Sequence, residues 1–392
     1  MSGQASFPPA FRPSYNLLNS FDENVDLVED EKLEIPPTLP VPTDILIRNL
    51  SRETAGESPS RGEGTAKRSG VFSDEAPVRA HAHDGLHKPY NPYSWYLKEK
   101  LGYKTYKITL DAGFTCPNRD GTKAYGGCTF CDQSGSSSWE QDKQNSITNQ
   151  LLGSLEKQRK RFKAEKFIAY FQNFTNTYAP VERLKALYDE AIVAHPDIIG
   201  LAISTRPDCV DEEKLNLIKT YTDKIPYVCV EYGLQTIHNR TLERVNRAET
   251  YEDFLHAYRL TRDLDLDHCV HVILDMPGEN HADQMATADA LAELKVHGVK
   301  IHLLCAMEKT PLALDYHRGD WRPLDREPYI QLLCDFMERL HPDTVIHRIA
   351  GNGHHQHVVA PLWLQEKLGI MNDVESEFQR RGTRQGSCCR FI

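Results

Sequence analysis

The chain has 392 residues, 40% of them hydrophobic, and a formal net charge of −10. That is enough for one large α/β domain or two smaller ones around a sizeable core. No run of about 18 apolar residues occurs to span a bilayer, and the N-terminus lacks a charged stretch followed by an apolar one, so the expectation is a cytoplasmic protein without a membrane partner. The first 87 residues hold 14 acidic and 8 basic side chains, which leaves the remainder close to neutral, and charge names no partner. Several of the ten cysteines lie in apolar runs such as YVCVEY and HCVHVIL, as buried reduced thiols do.

Residues 1–86 are rich in Pro, Gly, Ser and charge without a sustained apolar period, so they read as a disordered N-terminal tail, with one short amphipathic piece at Asp44–Leu50. From His87 the texture becomes periodic. Strands are predicted at Thr105–Leu110, Phe167–Phe171, Ile198–Ser204, Tyr227–Glu231, Cys269–Leu274 and Val299–Leu304, each short, apolar and rich in β-branched residues. Helical patterns separate them at roughly 145–163, 180–194, 211–222, 237–246, 250–265 and 281–297. Alternation of this kind suits an open doubly wound sheet or a complete or partial (β/α) barrel. The polar motifs follow strand ends (the cysteine loop, QNFTNTY, TRPD, GLQ and MPGEN), which favours a barrel with its site at the carboxyl ends of the strands. The core is expected over 87–310. A small C-terminal α/β extension is expected over 311–392, with a helix at Asp325–Leu340, a strand at Thr344–Ile349 and a helix at Val358–Leu368.

TCPNRDGTKAYGGCTFCDQSG brings Cys116, Cys128 and Cys131 into one glycine-rich loop, spaced C-x(11)-C-x(2)-C. A structural zinc site needs a fourth ligand from elsewhere. A redox pair of Cys128 and Cys131 leaves Cys116 unexplained. A [4Fe–4S] cluster on three cysteines leaves one iron open to a ligand outside the protein.

CTFC, with an aromatic residue before its last cysteine, resembles the radical SAM superfamily, whose usual loop is C-x(3)-C-x(2)-C. The wider gap is similar to that of the Elp3-like and YhcC-like branch. HKPYNPYSWYLKEKLGYKTYKITLDAGFTCPNRDG, YFQNFTNTYAP, STRPDC, EYGLQTIH, TLERVNR, VKIHLL and RRGTRQG resemble YhcC-like motifs in order over about residues 87–386. Two loops depart from that pattern: Asp275 stands where Gly is usual, and Ala248-Glu249 where Gly-His is usual.

The resemblance implies a partial six-stranded (β/α) barrel resembling part of a TIM barrel, with Cys116, Cys128 and Cys131 as ligands of a [4Fe–4S] cluster. The open iron would bind S-adenosylmethionine, whose cleavage yields a 5′-deoxyadenosyl radical acting on an unidentified substrate. An external electron donor of flavodoxin or ferredoxin type is implied as partner. Phe130 then packs against cluster or adenine, or only within its loop. Gln172 stands where such barrels hold the cofactor's amino group, although no GGE-like motif is present, and Asn173 and Thr175 follow it. Ser204 and Thr205 are placed to reach the cofactor. Arg206 either pairs with Asp208 or clamps a carboxylate or phosphate. Glu231 and Gln235 suit ribose hydroxyls, and Arg247 suits the cofactor carboxylate or a surface ion pair. His271 and His302 read as barrel-lining residues, and His354, His355 and His357 as a polar loop or a metal or phosphate site. The basic stretch 157–166 is a solvated helix face or an RNA contact. A metal protein without catalysis and an RNA-binding scaffold are the competing readings.

Overall fold

The structure, a computed structural model, describes residues 81–83, 86–133, 135, 145–350 and 357–392. The expected tail, with its Asp44–Leu50 segment, falls almost wholly outside these residues, as do His354 and His355. Seven parallel strands form one curled sheet: β1 (Thr105–Leu110), β2 (Lys166–Phe171), β3 (Ile198–Thr205), β4 (Tyr227–Gln235), β5 (Asp267–Leu274), β6 (Gly298–Leu303) and β7 (Val345–Arg348). Spatial order follows chain order, with β1 and β7 at the two edges. Helices α1 (Tyr93–Leu101), α2 (Ile147–Phe162), α3 (Val181–Val193), α4 (Glu212–Lys219), α5 (Tyr251–Arg262) and α6 (His281–Glu293) belong to this partial barrel; α7 (Pro311–Arg318), α8 (Arg326–Arg339) and α9 (Lys367–Arg381) complete the chain.

Successive strand residues point to opposite faces. Ile108, Phe167, Ala169, Leu201, Ile203, Val228, Val230, Val270, Val299 and Ile301 join the main core. The alternate residues Ile168, Tyr170, Ala202, Tyr227, Cys229 and Cys269 form a second cluster inside the barrel, capped by Leu97, Tyr93, Tyr96 and Leu101 of α1. Helix entries are set by side chains in the sequence: Thr250 and Asn280 each build a capping box, with Asp253 and Asp283 respectively.

Helix α1 forms the floor of the lumen between the edge strands. The Tyr93 ring stacks on His347 at 3.9 Å, its hydroxyl donates to Tyr227 Oη at 2.9 Å, and the Ile346 amide donates to the Asn91 carbonyl at 2.7 Å. Gln385, in the RRGTRQG motif, fastens this floor. Its Nε2 donates to the carbonyls of His341, Pro342 and Thr344 at 2.8, 3.1 and 2.8 Å. Its Oε1 accepts the Asn91 amide at 2.9 Å.

Two expectations are corrected. The sheet has a seventh strand, because the predicted strand at Thr344–Ile349 pairs in parallel with β6 through Val345 and Ile346 rather than standing apart. Val358–Leu368 is not a helix. Val358–Ala360 is a strand paired with Ala306–Met307, and a 3-10 turn at Leu362–Gln365 precedes α9. Two adjacent valines favour extended backbone, and Pro361 offers no amide for a helix interior.

Candidate functional site

The cysteine loop leaves the carboxyl end of β1 and turns at once, with the amides of Arg119 and Asp120 donating to the Cys116 carbonyl at 2.8 and 3.2 Å. It is then stapled to the segment after β4. Thr129 N donates to Val245 O at 3.0 Å, Asn118 Nδ2 to Asn246 O at 2.5 Å, and Asn246 Nδ2 to Gly127 O at 2.8 Å. Gly127 has φ +78° and packs against the Arg119 side chain, and that left-handed backbone is what favours glycine there.

Cys128 is buried, while Cys116 and Cys131 are half-buried. Two donors point at the Cys128 sulfur: Asn118 Nδ2 at 3.5 Å and Arg247 Nη1 at 3.7 Å. Arg247 is itself held by the Gly233 carbonyl at 2.6 Å and by Glu249 at 2.5 Å. Behind it, Arg206 donates to the carbonyls of Arg247 and Ala248 at 2.9 and 3.1 Å and makes a two-pronged pair with Asp208 at 2.8 Å on each prong. That pair holds the Asp208 carboxyl well below its ordinary value despite the opposing effect of burial. Burial pushes Glu249 up to about 7, against the pull of Arg247 and Arg206.

The remaining expected residues fall as follows. Thr205 is buried and shares a 2.6 Å hydrogen bond with Thr177. Gln235 is buried at the end of β4 with φ +74°. Gln172 follows β2 and accepts from Thr109 Oγ1 at 3.5 Å. Phe130 packs with Val245, Met276, Leu304, Leu312 and Trp321 on the C-terminal side. Glu231 lies lower, in mid-strand, because β4 runs on to Gln235. The basic stretch 157–166 ends α2 and begins β2, at the opposite end of the strands from the cysteine loop, where Arg159 and Lys166 share Asp197 at 2.7 and 2.5 Å. His357 pairs with Glu308 at 3.0 Å.

Both departures from the usual motif lie at left-handed backbone: Ala248 has φ +51° and Asp275 φ +67°, where glycine costs least. Asp275 offsets the strain by accepting the Leu324 amide at 2.9 Å, which ties the β5 loop to the C-terminal segment. Burial raises its pKa to about 6. A carboxyl raised in the folded state favours folding while protonated, so its contribution declines as pH rises from about 4 to about 6. Asp275→Asn keeps an acceptor and suits this backbone. The variant is expected to melt above the parent at pH 7.5 and by a clearly smaller margin at pH 4.5; an equal difference at both pH values would refute the assignment.

Below the loop, inside the lumen, lies a polar layer that the motifs did not announce. Glu231, fully buried, accepts from Tyr170 Oη at 2.8 Å, Lys300 Nζ at 3.0 Å and Lys107 Nζ, and its Oε2 is 2.7 Å from His271 Nε2. Burial opposes ionisation, yet the two lysines hold the carboxylate well below its usual range. Lys107 is raised by Glu231 against the effect of burial. Burial brings Lys300 down to about 8 and His271 to about 4. The available signal was a lysine inside an apolar strand, twice, in TYKITL and VKIHLL. Asn118 carried no signal beyond its place in the loop.

The radical SAM superfamily model matches residues 116–291, and the radical SAM C-terminal domain model matches residues 296–380. YtqA of Bacillus subtilis is 37% identical over 299 residues, covering 76% of this chain and 92% of its own length. YhcC of Escherichia coli is 34% identical over 302 residues, covering 77% and 96%. Among solved structures, the archaeal Methanocaldococcus infernus Elp3 with an N-terminal deletion superposes with a TM-score of 0.54 at 17% identity, over 72% of this chain and 64% of that one, just under two thirds of its length; this likeness is one of fold. Similarity this high over three quarters of the sequence decides the family: the chain belongs to the radical SAM superfamily, on the branch that holds YtqA and YhcC.

Proposed function

We propose that this radical SAM enzyme holds its [4Fe–4S] cluster through Cys116, Cys128 and Cys131 and leaves one iron for S-adenosylmethionine. The observation that carries the reading is the buried Cys128 sulfur facing two donors, one of them a buried guanidinium. Donors aimed at a ligating sulfur are the kind of outer partner that orients a metal ligand and tunes the group it holds. The donor set, three thiols on one loop, fits a cluster that keeps one iron free of protein, whereas a closed tetrahedral zinc site wants a fourth ligand.

When bound, the cluster supplies the electron that cleaves the sulfonium to a 5′-deoxyadenosyl radical. Arg247 lends positive charge beside Cys128, and Arg206 fixes the backbone of residues 247 and 248 from behind. Gln235, Gln172 and Thr205 supply the polar groups for the adenosyl and methionyl parts at the strand ends. Phe130 closes the loop's apolar side against α7 and keeps water out. On this reading the electron comes from an external donor of flavodoxin or ferredoxin type, as radical SAM family membership implies.

Anaerobic reconstitution tests this. About four irons per chain, and 5′-deoxyadenosine on addition of dithionite and S-adenosylmethionine, are expected. Stoichiometric zinc and no deoxyadenosine would overturn the reading in favour of a structural metal protein.

A further inference from the structure

The lumen carries more positive than negative charge. Lys107 and Lys300 both pair with Glu231, the one carboxylate among the described residues of that layer, and Arg348 adds a third cation in register with Lys300. In-register residues of neighbouring strands share a face, so Arg348 stands on the lumen side with Lys300. It is exposed, and it makes no hydrogen bond or ion pair among the described residues. His302, one pleat above Lys300, has the His271 ring 5.5 Å away as neighbour and no hydrogen-bond partner among those residues.

A metal ion is one candidate occupant, since ligand atoms of Glu231, Cys269 and His271 lie within 4.8 Å of one another. Two ammonium groups on the same carboxylate oppose a cation there. They favour an anion instead, and the unfilled donors of Arg348 and His302 are what an anion needs.

β1 and β7 are the two edge strands of the sheet, and the chain at the start of α1 joins them at the floor, where Pro92 bridges Ile346 and Tyr93 stacks on His347. Above that floor Lys107 stands on one edge and Arg348 on the other. From Glu231 up to Gly233, whose carbonyl holds Arg247 beside Cys128, is about 7 Å along the strand.

We propose that the lumen anchors an anionic group of the substrate, a carboxylate or a phosphate monoester, between Arg348, Lys300 and His302, with the rest of the substrate rising towards the cysteine loop. This rests on the enzyme reading above. It names the class of substrate: a small acid.

Cluster-free full-length protein is titrated with inorganic phosphate or with acetate at constant ionic strength, with chloride as reference. At least one of the two probes is expected to bind and raise the melting temperature; phosphate alone points to a phosphate monoester, acetate alone to a carboxylate. Arg348→Gln is expected to weaken that binding by about tenfold or more, the value of a charged hydrogen bond, and Arg348→Lys to restore part of it. Arg348 is exposed, so both variants should keep the parent's circular dichroism and melting temperature without probe. No binding of either probe, or binding unchanged by Arg348→Gln, overturns the proposal. Because the titration needs no cluster, this outcome is distinguishable from a failed cleavage assay. In reconstituted protein, S-adenosylmethionine should leave probe binding intact; displacement would assign these cations to the cofactor and overturn the substrate assignment.

Discussion

Cys128→Ala is expected to lower iron after reconstitution well below the parent's level and to reduce 5′-deoxyadenosine formation by more than about a hundredfold, since loss of an outer partner alone commonly costs 10–100-fold. The sulfur is the best supported of the three, with Asn118 and Arg247 both directed at it. Removing it leaves a buried guanidinium without one of its partners and a cluster short of one ligand. Iron content, the ultraviolet–visible spectrum and the cleavage assay report on this directly. The control is Cys388→Ala, since Cys388 is exposed near the C-terminus beside Glu338; it should behave as the parent. A Cys128→Ala protein that loads iron and cleaves as well as the parent would remove Cys128 from the ligand set.

Glu231→Gln is expected to destabilise the fold by about 3–5 kcal/mol, the cost of breaking a buried ion pair from one side. Glutamine matches the shape, but it leaves Lys107 and Lys300 facing each other without a counter-charge and turns an amide towards one of them. Chemical denaturation measures the loss. Lys300 has a depressed pKa of about 8, so folding is penalised while it is protonated and the penalty eases as pH rises through about 8. The deficit of Glu231→Gln should therefore be smaller at pH 9.5 than at pH 7. The double variant Glu231→Gln with Lys300→Met should recover part of the loss at pH 7, because one of the two uncompensated charges is gone. A deficit under about 1 kcal/mol that does not vary with pH would mean that water already screens this layer.

The strands were legible because each is a short apolar run. Thr105–Leu110 is recovered residue for residue, and the others shift by one or two positions at their ends. β4 is the exception. Glu231 looked like the end of a strand, since a carboxylate in an apolar run normally marks the return to solvent. The chain continues as strand to Gln235 because lysines 124 and 69 residues away in sequence neutralise it, and no local window contains that information. The cysteine loop was legible for the opposite reason: its three thiols and its glycines lie within sixteen residues. Its clamp was not, since Asn118 meets Asn246 across 128 residues. Val358–Leu368 misled because its apolar spacing fits a helix, and only the paired valines and Pro361 argued otherwise.

The contacts of Gln385 reach back to Pro89 and Asn91, and those residues lead into the helix beneath the lumen. On the ribosome, the strands of the sheet emerge in the order in which they pair, so most of the half-barrel can assemble as it is made. Its floor cannot. Helix α1 precedes every strand of the sheet, yet the side chain that locks it, Gln385, follows the last of them and α9 as well. A nascent or C-terminally clipped chain therefore has its cysteine loop complete while the bottom of the barrel is still unlatched.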